Sequence, residues 1–225
     1  MSFQNFIIDE VTTAFPKLRH RTNAVEMQRY MKDIAPFLGI KTPVRRSTLK
    51  SIFKEAPKPT STSLGKTARA LWKLPEREYH YAACDMLDYF CDYLDQNFLS
   101  SHVEYLLTHK SWWDTVDSLG TSVISPLTVR FDLVDLMDQW NQSENIWLIR
   151  AAIQHQRGRK SETDIPLLLK YCDDHADDHT FWIAKAIGWA LRDLARFDRP
   201  SVTKFLAQHP DLDRVAVREA LKHAH

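Results

Sequence analysis

"FWIAKAIGWALRDLAR", residues 181–196, is the stretch that best reveals the fold class of this 225-residue chain. Its apolar residues recur every three or four positions, which is the spacing of one face of an α-helix. They are Ile183, Ile187, Leu191 and Leu194. This period predicts a helix over Thr180–Phe197 whose apolar face is buried against other helices.

A second face of the same predicted helix carries cations and an indole. It consists of Lys185, Trp189, Arg192 and Arg196. Cations beside a flat apolar ring suit phosphate contacts, so this face predicts contact with nucleic acid. Gly188 lies next to it, at a mid-helix position where glycine costs about 1 kcal/mol relative to alanine. Either the close approach of a partner's backbone or tight packing between helices would explain that glycine.

Helical character extends along the whole chain. Only five glycines occur, and no segment alternates apolar and polar residues for long, so the pattern favours an all-α protein. Thr42 and Ser143 are the predicted caps of two of the helices. The predicted helices are Phe3–Phe15, Ala24–Ile34, Pro43–Phe53, Ser63–Leu74, Glu76–Leu94, Ser101–His109, Trp112–Leu119, Thr128–Trp140, Glu144–Arg157, Glu162–Cys172, Thr180–Phe197, Ser201–Gln208 and Arg214–His223.

The spacing of four tryptophans indicates a helical repeat. Trp72, Trp113, Trp147 and Trp189 are 41, 34 and 42 positions apart, near the period of about 40–47 residues in HEAT-type repeats. The chain is therefore expected to form a single domain over residues 1–225, an α-solenoid of HEAT-like helical repeats. Such solenoids present concave surfaces that suit an extended partner.

The net charge of +1 hides a strong segregation of charge. Lys41–His80 has ten Lys or Arg against three Asp or Glu, and Tyr81–Trp140 has two against ten. From Phe181 onward there are eight against five. Although any single run of this kind can be a solvated helix face, two basic regions flanking an acidic one favour a polyanionic partner.

The start of the chain and its cysteines favour a cytoplasmic location. "MSFQNFIIDE" lacks the basic region of a signal peptide, and no apolar run approaches the roughly 18 residues of a membrane span. Three cysteines, without CxxC spacing, suggest neither disulfides nor a metal site. We expect a cytoplasmic, nucleoid-associated protein of a bacterial-type cytosol, with no metal, no cofactor and no membrane partner.

"KSWWDTVDSLG", residues 110–120, places paired indoles beside two carboxylates. The spacing predicts a capping box with Ser111 as the cap, in which the side chain of Asp114 accepts a hydrogen bond from the backbone N–H of Ser111. This interpretation gives Asp114 a structural role. Asp117 lies four positions after Trp113 and shares its helix face, so it is the candidate for chemistry. Alternatively, Trp113 is half-buried and Asp117 forms a salt bridge with a neighbouring helix. The opposite, apolar face consists of Trp112, Val116 and Leu119.

Arg150 interrupts the apolar run "NIWLIRAAI". One interpretation is a buried ion pair, perhaps with Asp117, and the other is a phosphate clamp. The two interpretations are compatible.

Five segments resemble the AlkD family of DNA-alkylation-repair glycosylases. In chain order, within Ala24–Lys222, they are "RYMKDIAPFLGIKTPVRR", "LWKLPERE", "KSWWDTVDS", "ENIWLIRAAI" and "IAKAIGWALRDLA". The resemblance implies an all-helical HEAT-like solenoid with a basic concave cleft for duplex DNA. It also implies excision of cationic alkylated purines, chiefly 3-methyladenine and 7-methylguanine, by hydrolysis of the N-glycosidic bond. The expected partner is double-stranded DNA that contains alkylated bases, bound by a monomer.

The resemblance also identifies site residues. The two tryptophans, the aspartate and the arginine of the family's active site match Trp113, Trp189, Asp117 and Arg150. Family members grip the sugar-phosphate backbone and leave the lesion stacked, which implies the same here. The residues expected to contact DNA are Tyr30, Lys41, Arg45, Arg46, Lys110, Lys185, Arg192 and Arg196.

Elementary chemistry agrees with one catalytic carboxylate. Purines alkylated at N3 or N7 are cationic and leave as neutral bases without a general acid, whereas an ordinary glycosidase needs two carboxylates. Asp117 would stabilise the oxocarbenium-like sugar, while the two indoles would flank the cationic nucleoside. The alternative is a non-catalytic HEAT-repeat scaffold that binds DNA structures or a protein. A release assay on methylated duplex DNA separates these hypotheses, because a scaffold frees no base.

Overall fold

The computed structural model describes residues 1–222, which form helices, turns and loops and contain no β-strand. The predicted all-α class is therefore confirmed. The chain divides into two compact units, Met1–Val123 and a second unit that starts at Ile124. The concave basic cleft and the single domain stay predictions. Among the described residues, no helix is both long enough and apolar enough to cross a membrane.

The helices of the first unit begin within about three residues of the predicted positions, whereas α2 and α5 end four and five residues before their predicted ends. They are α1 Phe3–Lys17, α2 Arg21–Tyr30, α3 Thr42–Glu55, α4 Ser61–Lys73, α5 Arg77–Tyr89, α6 Glu104–Thr108 and α7 Trp113–Leu119. The helices of the second unit are α8 Ser125–Arg130, α9 Val134–Asn141, α10 Ile146–Gln154, α11 Ile165–Asp173, α12 Phe181–Ala195, α13 Arg199–Gln208 and α14 Arg214–Ala220. Short 3-10 or π-helical turns lie at Cys91–Tyr93, Leu99–Val103, Gly120–Ile124 and Lys160–Glu162.

Helix α1 shows how the core of the first unit forms. Phe3, Ile7, Val11 and Phe15 are all buried, and residues four apart in a helix lie on one face. Helix α1 packs on α3 and α4, and α5 packs on those two helices and on α7. Helix α5 therefore connects the core of this unit to the helix that carries the paired indoles.

Helix α12 is the centre of the second unit. Its predicted apolar face is confirmed, because Ile183, Ile187, Leu191 and Leu194 are all buried. The helix packs against α10, α11, α13 and α14. Its remaining face is thus the part that can carry polar groups.

Gly188 is explained by helix packing. A Cβ atom at this position would lie 2.6 Å from the carbonyl oxygen of Ala216 and 2.7 Å from Cβ of Glu219, both on α14. Such distances are too short for carbon atoms in van der Waals contact. Of the two explanations for this glycine, the structure supports the tight approach of a neighbouring helix.

The two predicted caps are each displaced by a residue or two. Helix α3 begins at Thr42 itself, so that Lys41 occupies the cap position without a side-chain hydrogen bond. Helix α10 is capped by Asn145, whose Oδ1 accepts from the amide of Trp147 at 2.9 Å. The hydroxyl oxygen of Ser143 instead accepts from the amide of Asn145 at 3.1 Å. Both Ser143 and Asn145 have side chains that can cap a helix, and Asn145, which is nearer to α10, is the cap.

Two long predicted helices are interrupted. The predicted Glu76–Leu94 ends at Tyr89 and is followed by a 3-10 turn. The predicted Thr128–Trp140 breaks between α8 and α9, where Asp132 accepts from the amide of Val134 at 3.4 Å. An aspartate can replace the carbonyl that would continue a helix, which explains the break. The end of the last predicted helix, His223, lies outside the described residues.

Candidate functional site

The N-terminus of α7 does not have the predicted capping box. Trp112 occupies the cap position and makes no side-chain cap hydrogen bond. The hydroxyl of Ser111 donates to the carbonyl of Leu107 at 2.5 Å, so it points back to α6. The capping-box prediction is wrong because both of its side chains have other partners.

Asp114 forms an ion pair with Arg77 of α5. Both Nε and Nη2 of Arg77 donate to the carboxylate, at 3.0 and 2.6 Å, and the side chains are only 1% and 9% exposed. The hydroxyl of Tyr81 donates to the same carboxylate at 2.6 Å. Such bidentate pairing with a planar guanidinium is geometrically specific. Asp114 thus has a structural contact, although a different one from that predicted.

Arg77 also fixes the start of α7 directly. It donates to the carbonyl of Lys110 at 2.7 Å and to the hydroxyl of Thr115 at 2.9 Å. Its Nη1 lies 3.1 Å from Nδ1 of His80. Burial, and next the adjacent Arg77, lower the pKa of His80 to about 4, so the neutral ring can accept at Nδ1 and donate from Nε2 to Leu74. One buried arginine therefore holds the helix that carries the paired indoles.

Replacement of Asp114 by asparagine is expected to lower the free energy of unfolding by about 3 kcal/mol, because it leaves the buried Arg77 charge without its counter-ion. Denaturant unfolding measures the change. The control is Asp88→Asn, an exposed carboxylate on α5, which should change stability by less than about 0.5 kcal/mol. If both variants are equally stable, Asp114 does not have the structural role assigned here.

Trp113 lies at a cavity of about 510 Å³ within the first unit. Its ring is half-buried and meets Tyr30 of α2 edge-on, with ring centres 6.3 Å apart. Tyr30 is 71% exposed, although it is a large aromatic residue. The other residues that line the cavity are Glu26, Met27, Met31, Phe37, Thr42, Arg45, Arg46, Tyr81, Asp114 and Ser118. The cavity therefore combines an accessible aromatic pair with cations and carboxylates.

Asp117 lies one turn beyond Trp113 on α7 and is partly exposed. It is not among the residues that line the cavity. The predicted apolar face of this helix is confirmed at Val116 and Leu119, which are buried, while Trp112 is half-buried. Helix α7 therefore keeps Trp113 and Asp117 away from its fully buried face.

The cations near this cavity differ in how far they are neutralised. Arg45 is buried and donates to Asp85 at 2.8 Å, whereas Arg46 is exposed and donates to the same carboxylate at 3.2 Å. The ammonium of Lys110 donates to the carbonyls at the end of α4, at 2.9 and 3.0 Å, and burial followed by Arg77 lowers the pKa of Lys110. Lys41 is exposed. Of the cations predicted to contact DNA in this unit, Arg45 is thus buried in an ion pair and Lys110 is bound to main-chain carbonyls, whereas Lys41 and Arg46 are exposed and are the better candidates for an external anion.

In the second unit, Arg150 of α10 is fully buried. Its Nη1 donates to the carbonyl of Trp182 at 2.7 Å. Its guanidinium carbon lies 5.8 Å from the ring centre of Trp182 and 5.3 Å from that of Trp189. The arginine that interrupts the apolar run of α10 is therefore packed between indoles of α12.

Trp189 is half-buried and lies among several cations. Besides Arg150, three cations lie within 6 Å of its ring centre: Arg157 at 4.9 Å, Lys185 at 5.4 Å and Arg192 at 5.8 Å. Its Nε1 donates to the carboxylate of Glu219 at 3.1 Å. Two cations of the predicted stripe, Lys185 and Arg192, thus lie beside the indole, together with two arginines from outside α12.

The cations of the α12 stripe are not equivalent. Arg192 is 18% exposed and donates to Glu219 at 3.1 Å. Arg196 is 70% exposed and lies 3.7 Å from Asp193, while Lys185 is partly exposed. Lys185 and Arg196 are therefore better placed than Arg192 to contact an external phosphate.

Sequence reasoning missed three residues of these clusters. Arg77, Arg157 and Glu219 reach the indole-bearing helices from other elements. Glu219 follows Trp189 by 30 positions and Arg77 precedes Asp114 by 37. No local spacing rule connects residues so far apart, so no sequence signal identified them.

Comparison with known proteins gives a consistent relationship. The model of a family described as "DNA alkylation repair enzyme" matches residues 11–224. A structure titled a predicted DNA alkylation repair enzyme from Enterococcus faecalis is similar over 91% of this chain and 96% of that chain, with 27% identity and a TM-score of 0.83. AlkD2 from Streptococcus mutans is similar over 99% and 97% of the two chains, with 14% identity and a TM-score of 0.63, which shows a shared fold. A search of curated proteins found no match.

Proposed function

Because the chain belongs to the family of DNA alkylation repair enzymes, we propose that it is a DNA glycosylase. It excises cationic alkylated purines, 3-methyladenine and 7-methylguanine, from duplex DNA by hydrolysing the N-glycosidic bond, which begins base excision repair. The proposed catalytic residues are Asp117, Trp113, Trp189 and Arg150.

One observation carries this proposal most directly. Tyr30, an aromatic residue that is largely exposed, forms an edge-on pair with Trp113 at a cavity. Trp113 belongs to α7, the helix that also bears Asp117. Exposed apolar surface that is grouped at a groove marks a ligand-binding site, unlike a single scattered apolar residue. An aromatic surface suits a flat ligand that carries positive charge.

Asp117 supplies the negative charge for the reaction. As the bond to the base breaks, the sugar becomes oxocarbenium-like and positively charged. A carboxylate about 4 Å away, in an effective dielectric of about 20, stabilises that charge by roughly 4 kcal/mol. The same carboxylate orients the attacking water. No general acid is needed, because the alkylated base departs as a neutral molecule.

The indoles and the arginine bind the nucleotide. The faces of Trp113 and Trp189 attract the cationic nucleoside, by about 0.5–2 kcal/mol for each ring. Arg150 is the proposed phosphate contact next to the lesion, since a guanidinium binds phosphate oxygens in a bidentate manner; its side chain is fully buried, so this contact requires that bound DNA expose it. The lesion stays stacked in the duplex, and the protein grips the sugar-phosphate backbone.

Binding to the DNA backbone depends mainly on the cations that are accessible at the protein surface. The proposed phosphate contacts are Lys41, Arg46, Lys185 and Arg196. Tyr30 packs against the sugar-phosphate backbone of the DNA. Arg46 and Arg196 pair with carboxylates but stay largely exposed. Arg45 and Arg192 are mostly buried in their ion pairs and Lys110 is bound to main-chain carbonyls, so we assign these three a smaller share of DNA affinity.

The salt dependence of DNA binding tests this assignment. Affinity for undamaged duplex is expected to fall with salt at a log–log slope of about −0.9 for each phosphate contacted, with little sequence preference. Lys185→Ala and Arg196→Ala should each make the slope shallower by about one contact. Lys204→Ala, an exposed cation on α13, is the matched control and should leave it unchanged. A flat salt response of the unmodified protein would contradict the proposal.

Incubation with a duplex that contains a single 7-methylguanine tests the function itself. We expect release of the free base and an abasic site that alkali cleaves. A protein that binds the duplex but releases no base would instead be a scaffold.

A further inference from the structure

Glu219 of α14 is a buried carboxylate that contacts Trp189, one of the proposed catalytic residues. It is 8% exposed. Its Oε2 accepts from Nε1 of Trp189 and from Nη1 of Arg192, each at 3.1 Å. One carboxylate oxygen therefore joins the indole to a cation of the same helix, α12.

The packing of α12 on α14 makes this contact possible. Gly188 immediately precedes Trp189, and a Cβ there would come within 2.7 Å of Cβ of Glu219. The absence of a side chain at Gly188 is what lets α14 approach closely enough for Glu219 to reach the indole N–H. The mid-helix glycine and the carboxylate are thus two parts of one arrangement.

The charges around Trp189 give Glu219 an electrostatic role as well. Arg150, Arg157, Lys185 and Arg192 all lie within 6 Å of the ring centre. Together they would repel a cationic nucleoside from the indole. Asp193 lies 3.6 Å from Arg157 and offsets that cation, whereas Glu219 pairs with Arg192 and bonds to the ring itself. A carboxylate that accepts from the indole N–H also adds electron density to the ring, which strengthens its attraction for a cation.

We propose that Glu219 is a positioning residue for Trp189, which fixes the plane of the indole and lowers the positive potential that an alkylated purine nucleoside meets there. This inference rests on the proposed function for its catalytic consequence. Its structural part, the hydrogen bond that holds the ring, can be tested without any reaction.

The first experiment observes the indole directly. In a ¹H–¹⁵N spectrum of the full chain, the Trp189 signal is identified by its loss in Trp189→Phe. Glu219→Ala should move this indole N–H signal upfield and speed its exchange with water, while the signals of the other tryptophans keep their positions. An indole signal that does not move in Glu219→Ala would overturn the inference, whatever the protein does to DNA.

The second experiment measures single-turnover release of 7-methylguanine. Glu219→Ala should slow the rate by about tenfold or more, as expected for loss of roughly one good cation–π contact. Because the change also releases Arg192 from its carboxylate, affinity for undamaged duplex should not fall. Glu219→Gln keeps a carbonyl acceptor for the indole N–H and should recover part of the rate. Asp138→Ala removes a carboxylate that pairs with Lys170 in the same unit, so it is the control and should release base at the normal rate.

A double-mutant cycle decides whether Glu219 acts through the indole. In the Trp189→Phe background the N–H is absent, so Glu219→Ala should slow the rate clearly less than in the unmodified protein, and the remaining effect measures the charge of the carboxylate alone. An undiminished effect in that background, or a loss that only follows the fraction of unfolded protein, would overturn the positioning role. If the unmodified protein releases no base, the proposed function fails, and the indole signal still decides whether Glu219 holds Trp189.

Discussion

Replacement of Asp117 by asparagine is expected to slow release of 7-methylguanine by about a thousandfold, because the charge it removes is worth roughly 4 kcal/mol in the transition state. Asparagine has nearly the same shape as aspartate, so the fold and the affinity for undamaged duplex should be retained. The thousandfold loss is that of the interaction with the positively charged sugar. Single-turnover kinetics, with enzyme in excess over a duplex that carries one lesion, measures the effect.

Asp114→Asn is the matched comparison on the same helix. It removes an equal charge three residues away, but from a carboxylate that is buried against Arg77. At a temperature where this variant is folded, it should release base at a rate close to that of the unmodified protein. Equal losses of activity in the two variants, each in proportion to its loss of stability, would show that Asp117 is structural.

The charge of the damaged base is expected to decide which lesions are released. If no acid protonates the leaving group, a base must already be cationic to depart, so 7-methylguanine and 3-methyladenine should be excised. The neutral bases hypoxanthine and uracil should remain attached, even in duplexes that bind equally well. Release of each base from otherwise identical duplexes, followed by chromatography, measures this selectivity.

The tryptophan variants test the same mechanism from the protein side. Trp113→Ala and Trp189→Ala should each slow the release of cationic bases by about tenfold or more, given roughly 1–2 kcal/mol for each ring. Binding of undamaged duplex should weaken far less. Rapid excision of hypoxanthine by the unmodified protein would mean that a general acid takes part, and the mechanism proposed above would be incorrect.

The helical class and much of the core could be predicted from the sequence. On α12, the period of Ile183, Ile187, Leu191 and Leu194 predicted a buried face, and the structure confirms it. On α7, Val116 and Leu119 are likewise buried as predicted. Such predictions succeed because burial of one helix face leaves a repeat in the sequence every three or four residues.

The predicted capping box does not form because Asp114 has a stronger interaction with another partner. Ser111 and Asp114 have the right residue types and spacing, but a cap hydrogen bond contributes only about 1 kcal/mol. The bidentate pair of Asp114 with buried Arg77 is stronger, since breaking such a pair costs about 3–5 kcal/mol. A local rule is overruled wherever a distant residue offers the same side chain a better partner.

The sequence by itself determined the all-α class, the face that α12 buries, and which residue types are available for a site, because each of these depends on neighbours along the helix. Only the tertiary structure decided which charges are neutralised. Arg45 is paired with Asp85, 40 positions away, and Arg192 with Glu219, 27 positions away. A cation contacts an external phosphate most favourably when no carboxylate of the protein already holds it, and which carboxylate comes within about 3 Å depends on helix packing rather than on sequence spacing. The more accessible cations Lys41, Arg46, Lys185 and Arg196, of which Arg46 and Arg196 also contact a carboxylate, could therefore be distinguished from the mostly buried Arg45 and Arg192 only after the helices were in place.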